Sequence, residues 1–137
     1  MSNNLKRKDA LMNEKELIHV ALKGLPPTVN QMYRNCGTRR YKTPETREFQ
    51  DGLVAILKSL WGDKPCFNGR AGLRLFFSQK DKRRWDIDNR VKALQDCLQA
   101  AGVIKDDSQI DLLHLEREHE AQKTQTVLTL SELLNED

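Results

Sequence analysis

Residues 71–77 read as a strand, residues 89–101 as a helix and residues 110–117 as a second strand, and that succession constrains the fold more than any other feature of the chain. The helix carries Val91, Leu94, Leu98 and Ala101 on one face and is closed by Gly102. The second strand carries Ile110, Leu112, Leu113 and Leu115 on both faces, the pattern of a central strand, with room for a bulge. A strand–helix–strand succession of this length leads to a layered α/β or α+β arrangement.

The other elements fill out such a layer. Residues 16–23 read as a strand stopped by Gly24 and the Pro26-Pro27 pair, which cannot donate to a ladder. Thr43 as N-cap and Pro44 at the first position open a helix ended by Gly62. Phe49, Leu53, Ile56, Leu57 and Leu60 recur along it at helical spacing and are expected to face the core. Residues 61–70 form a loop, and residues 124–130 a last strand expected to pair with 110–117 as a hairpin through 118–123. The expectation is a single domain, α/β in the α+β sense, with a mixed sheet of about four strands flanked by two main helices. Its parts are a polar, basic arm at 1–15, the domain proper at 16–131 and an acidic tail at 132–137. A chain of 137 residues is long enough for one core and too short for two.

Charge is unevenly placed. Residues 1–92 hold 20 Lys and Arg against 10 Asp and Glu, net +10, whereas residues 93–137 hold 3 against 10, net −7. A basic front and an acidic back suit a molecule with one side turned to a polyanion. Between the first strand and the first long helix runs a long loop with Asn30, Tyr33, Arg34, Arg39, Arg40 and Lys42, better suited to binding than to connecting. Lys82, Arg83 and Arg84 form a second basic group. Cys36, Cys66 and Cys97 are odd in number and widely spaced, which argues against a disulfide framework or a structural zinc site, and Cys97 is expected simply to pack on a helix. His19, His114 and His119 are expected to be solvated or packed rather than ligands. There is neither an apolar run of membrane-spanning length nor an apolar signal core after Met1, so the expected setting is cytoplasmic, at the nucleoid.

The chemistry concentrates at the junction of strand and helix. Asp86 and Asp88 stand at i and i+2, Lys92 lies one helical turn past Asp88 on the face that also carries Asp96, and Asp107 follows one helix length later. At crossover points of an open α/β layer ligands gather, so Asp107 is expected to approach the Asp86 pair. Three carboxylates about 4 Å apart repel by about 4 kcal/mol per pair at an effective dielectric near 20. A hard divalent cation removes that penalty, Mg²⁺ or Mn²⁺ rather than zinc, and such a cation activates water and steadies the leaving oxygen of a phosphodiester. The plainer alternative is a capped helix with an i,i+4 salt bridge and a turn at Asp106-Asp107. The basic residues Lys82, Arg83 and Arg84 in front of the cluster favour the phosphodiester. Trp85, between Arg84 and Asp86, is expected in the core, with stacking on an unpaired base as the alternative.

The ordered set Pro26-Pro27-Thr28, Asn30, Tyr33-Arg34, then Arg84, Asp86, Asp88-Asn89 and Lys92, then Gly102 and Asp106-Asp107-Ser108-Gln109 resembles the RusA family of Holliday junction resolvases over roughly residues 17–131. The resemblance implies a homodimeric, Mg²⁺-dependent endonuclease, with Mn²⁺ as a substitute, that makes paired nicks in four-way DNA junctions during recombination and repair. It implies that Asp86, Asp88 and Asp107 hold metal, that Lys92 is essential, and that Asn89, Asp106 and Gln109 support them. Thr28 stands where the family has serine, and neither the arm nor the 61–70 loop has a counterpart in it; neither is expected to touch the acidic cluster. A branched-DNA-binding module without cleavage is the alternative. A nucleotide-sugar transferase using Asp-x-Asp is disfavoured by the size of the chain.

Overall fold

The computed structural model describes residues 13–134. Among them are six strands, β1 (Glu14–Lys23), β2 (Tyr33–Cys36), β3 (Arg39–Lys42), β4 (Ala71–Ser78), β5 (Ile110–Glu118) and β6 (Gln125–Leu133), and three α-helices, α1 (Val29–Met32), α2 (Pro44–Trp61) and α3 (Val91–Ala100). Most of the expected N-terminal arm and the end of the acidic tail lie outside the described residues. The strands reach further than expected at both ends: β1 begins at Glu14, and β6 continues through Glu132 and Leu133.

The centre of the sheet follows from burial. In β4, Ala71, Leu73, Leu75 and Phe77 are all sealed from solvent, and the strand has a neighbour on each side, β6 antiparallel and β5 parallel. The full order is β1-β6-β4-β5, a mixed four-stranded sheet, with β1 antiparallel to β6. The single mixed sheet flanked by two main helices is as expected, but two details differ. The strand 110–117 is not central: β5 is an edge, carrying Asp111, Glu116 and Glu118 exposed, the charges that keep an edge from pairing with another chain. Nor does β5 form a hairpin with β6, because β4 is inserted between them. The connecting residues instead pass over the end of β4, where the Ala121 amide donates to the Gln79 carbonyl and the Gln79 amide to the Glu118 carbonyl. The expected bulge is present: Ala71 pairs with Ile110 and Gly72 with Leu112, leaving Asp111 as the extra residue.

Helices α2 and α3 supply the layer that closes the core. Thr43 caps α2, accepting from the Thr46 amide at 3.3 Å, and Gly62 ends it at φ +66°, a conformation glycine adopts without strain. Leu53, Leu57 and Trp61 are its buried stripe, whereas Ile56 and Leu60 are 43% and 50% exposed. The expectation that these two face the core is therefore corrected: each lies about 100° around the helix from its buried neighbour Leu57 or Trp61. α3 buries Val91, Leu94, Cys97 and Leu98, and the Cys97 thiol is pushed up to about 12 by burial. Leu57, Leu94 and Leu98 are each inaccessible to solvent. Their burial contributes about 2 kcal/mol apiece.

The long basic loop expected after β1 is not a loop. It folds as α1 followed by a β2–β3 hairpin, in which Cys36 pairs with Arg39 and Gly37 takes φ +62° at the tip. Strand alternation was masked there because Arg34, Arg39, Arg40 and Lys42 occupy both faces of a ribbon with no core of its own.

Candidate active site

Everything the sequence marks as chemical lies on the crossover from β4 to β5. The chain leaves the end of β4, passes Lys82, Arg83 and Arg84, makes one turn of 3-10 helix at Ile87–Arg90, and enters α3 at Val91, two residues later than expected. Asp86 closes this turn by accepting the Asn89 amide on its carbonyl at 2.9 Å. Asp86 and Asp88 are exposed, and neither carboxylate makes a hydrogen bond or ion pair among the described residues. After α3, Gly102 at φ +74° reverses the chain, and Asp107–Gln109 forms a second 3-10 turn leading into β5.

The parallel register shows why the acidic residues do not start from the same place. Asp86 follows the carboxyl end of β4, whereas Asp107 precedes Ile110, which pairs with Ala71 at the other end of β4. What α3 brings to Asp107 is Lys92. Its ammonium lies 3.0 Å from Asp96 Oδ1 and 3.5 Å from Asp107 Oδ2. Its pKa is raised, first by the hydrogen bond to Asp96 and then by the charges of Asp96 and Asp107, so it stays an ammonium at neutral pH. The structure thus joins Lys92 to Asp96, expected on the same helix face, and also to Asp107, which was expected to approach Asp86 instead. Among the described residues no three His, Cys, Asp or Glu side chains converge into a ready-made metal cage. Without a cation, like charges avoid one another, and here a lysine satisfies one of them.

The Asp107 turn is held from both sides. Asp106 caps it, accepting from the Ser108 hydroxyl and amide, and the Ser108 hydroxyl is the first cause of its lowered pKa. Gln109 clamps it: Oε1 accepts from the amides of Lys105 and Asp106 at 2.8 and 2.9 Å, and Nε2 donates to the carbonyls of Phe67 and Gly69 at 2.8 and 3.0 Å. The 61–70 loop, expected to stand apart from the cluster, is therefore tied to the Asp107 turn through Gln109. Gln109→Ala removes all four bonds and strands backbone groups. The expected loss is about 1–3 kcal/mol, read as a lower urea midpoint with faster amide exchange at residues 105–109.

Trp85 is a packed residue, as expected. It meets Phe77 edge-on with ring centroids 5.3 Å apart, and its indole N–H donates to Gln79 Oε1. The guanidiniums of Arg90 and Arg117 lie 4.6 and 4.9 Å from its ring centre. Arg117 also donates to the Trp85 carbonyl and Arg90 to the Pro26 carbonyl. Desolvation, more than the nearby Arg83 charge, lowers the Arg90 pKa. These contacts fix the segment that presents Asp86, and stacking Trp85 on a base would break them. Sequence inspection missed Arg90, Arg117 and Gln79 here, because only tertiary packing brings them together.

Of the basic residues, Arg34, Arg39 and Arg40 are exposed on the hairpin, with the Arg40 guanidinium 4.0 Å from the centre of the Tyr33 ring. Lys42 is bonded to Gln50 on α2, and Asn30 is exposed on α1. Lys82, Arg83 and Arg84 are all exposed, Lys82 lying 3.3 Å from Glu120. Arg90 links the two groups. It lines both a cleft of about 560 Å³ with Asn30, Tyr33 and Arg34 and a smaller one with Arg83 and Trp85.

A strand–helix–strand crossover that carries two exposed carboxylates and a lysine paired with two further ones, together with two exposed basic groups, has the make-up of a nuclease. Comparison with known proteins agrees. The family model described as Endodeoxyribonuclease RusA matches residues 24–131. The chain is 29% identical over 122 residues to the crossover junction endodeoxyribonuclease RusA of Aquifex aeolicus, covering 88% of this chain and 95% of that one. It is 30% identical over 111 residues to the protein of the same name from Escherichia coli K12, covering 81% and 92%. The corresponding protein of Enterobacteria phage HK97 is 30% identical over 86 residues, covering 63% and 71%. The chain belongs to the RusA family of endodeoxyribonucleases.

Proposed function

We propose that this chain is a structure-selective endodeoxyribonuclease that resolves four-way DNA junctions by paired, symmetric nicks, with Mg²⁺ as its cofactor and Mn²⁺ as a substitute. The observation that carries the reading is the contact of Lys92 with Asp107 on the same crossover that presents Asp86 and Asp88. The donor set fits a hard divalent cation. Asp86 and Asp88 offer unengaged carboxylate oxygens, and Asp107 already attracts a cation, the Lys92 ammonium. Mg²⁺ commonly takes one or two carboxylates and completes its shell with water and substrate phosphate, so a closed protein cage is not required.

In this reading Asp86, Asp88 and Asp107 hold the metal, which when bound supplies Lewis-acid help to hydrolysis of the phosphodiester. Lys92 places a positive charge beside the phosphate, where negative charge grows during displacement. Asn89 and Asp106 shape the two turns, and Gln109 holds the second in place. Arg34, Arg39 and Arg40, with Tyr33, Asn30 and Lys42, grip the backbone of one arm. Lys82, Arg83 and Arg84 grip it nearer the cut. Two opposed nicks need two such sites, so the working unit is a homodimer, acting on cytoplasmic DNA in recombination and repair. No helix among the described residues is long and apolar enough to cross a membrane.

That no three acidic or other ligating side chains converge among the described residues favours one rival, a protein that binds branched DNA without cutting it. One assay separates the two. Purified protein is incubated with a synthetic four-way junction, a flap and a linear duplex, with and without Mg²⁺, and cuts are mapped on each strand. Symmetric nicks in opposed strands of the junction, dependent on Mg²⁺, are expected; binding without nicks at any metal concentration establishes the rival.

A further inference from the structure

Resting on the metal reading above, we propose that Asp96 is a positioning residue: it sets where Lys92 holds its ammonium, and so how readily Asp107 is released to a divalent cation.

The geometry is an ammonium shared between two carboxylates. Asp96 is the nearer partner, at 3.0 Å against 3.5 Å for Asp107. It is also the more enclosed, its side chain 20% exposed against 49% for Lys92 and 36% for Asp107. Lys92 and Asp96 stand one turn apart on α3, so the helix itself keeps this pair together. Asp107 lies on a separate turn after the chain has reversed, and nothing in the helix binds it to Lys92. Asp96 makes no other hydrogen bond or ion pair among the described residues, so it caps no turn and holds no loop.

A divalent cation and the Lys92 ammonium compete for Asp107. With Asp96 present, the lysine gives up Asp107 and keeps a partner. Without Asp96, its whole charge rests on Asp107, and the cation must displace it from its last ion pair. Asp96 therefore favours metal entry through Lys92, beyond the direct attraction of its own charge.

A double-mutant cycle separates the two effects. Binding of Mn²⁺ to the DNA-free protein is measured by electron paramagnetic resonance of the free ion, for wild type, Asp96→Asn, Lys92→Met and the double variant. Both substitutions nearly preserve side-chain volume. Asp96→Asn is expected to weaken Mn²⁺ binding in the wild-type background by at least about threefold more than in the Lys92→Met background. The Mg²⁺ concentration for half-maximal junction cleavage by Asp96→Asn should rise by a similar factor, with the rate recovering at high Mg²⁺. Equal losses in both backgrounds mean that Asp96 acts only as a distant charge and overturn the inference, as does no loss in either. If wild type binds Mn²⁺ no better than an Asp86→Asn/Asp88→Asn variant, the metal site itself is wrong and the inference falls with it.

Discussion

Asp86→Asn, Asp88→Asn and Asp107→Asn should each lower the rate of junction nicking in Mg²⁺ by about 10³-fold or more, while binding to the same junction stays within a fewfold of wild type. Each change removes one negative oxygen donor and keeps the shape. Asp86 and Asp88 are exposed and make no hydrogen bond or ion pair among the described residues, so their replacement should alter stability by no more than about 0.5 kcal/mol. Loss of cutting by these two therefore cannot be assigned to unfolding. Asp107→Asn differs in one respect, since it also frees Lys92 to sit wholly on Asp96. Single-turnover cleavage of an end-labelled junction, beside gel-shift binding in EDTA, tests all three. Wild-type cutting by all of them would show that the site lies elsewhere.

Lys92→Ala should cost about 10²–10³-fold in the same cleavage assay and little in binding, the size expected for removing one preorganised charge from beside a reacting phosphate. Lys92 stands among carboxylates rather than on the hairpin, which argues against a simple backbone contact. Equal loss of cutting and binding would recast it as one. Because its pKa is raised, Lys92 stays charged well past neutrality, and the stabilisation it draws from Asp96 and Asp107 is present there too. That stabilisation is complete below the ordinary lysine pKa and is lost only as pH rises through the elevated one. A fall in cleavage between pH 6 and 8 thus cannot be laid to its titration.

Much of the candidate site's geometry was legible in the chain because its parts are local. Lys92 and Asp96 share a face by helical spacing alone, and Asp107 follows the same helix after a glycine stop. The β5 bulge and the α2 cap were legible for the same reason, each being set within a few residues. Strand order was not, because nothing in residues 110–130 states that β4 lies between β5 and β6. The β2–β3 hairpin escaped because its charged residues carry no alternation, and Ile56 and Leu60 because an apolar residue at helical spacing does not show how wide the buried stripe is. Gln109 appeared only as a member of a motif. Its reach to Phe67 and Gly69, across some 40 residues, belongs to the folded chain alone.

α3 acts as a ruler. Its ten residues carry the chain about 15 Å along the axis. The return through Val103 to Asp106 then covers enough of that distance to set Asp107 beside a side chain from the helix's first turn. One residue more or less in α3 would rotate everything beyond it by about 100° and shift it by about 1.5 Å, carrying the return path and Asp107 out of register with Lys92. The fourteen residues between Lys92 and Asp107 therefore belong to the candidate site as a length, whatever their identities. For this enzyme a deletion in that stretch is a change to the site, even where every acidic residue is kept.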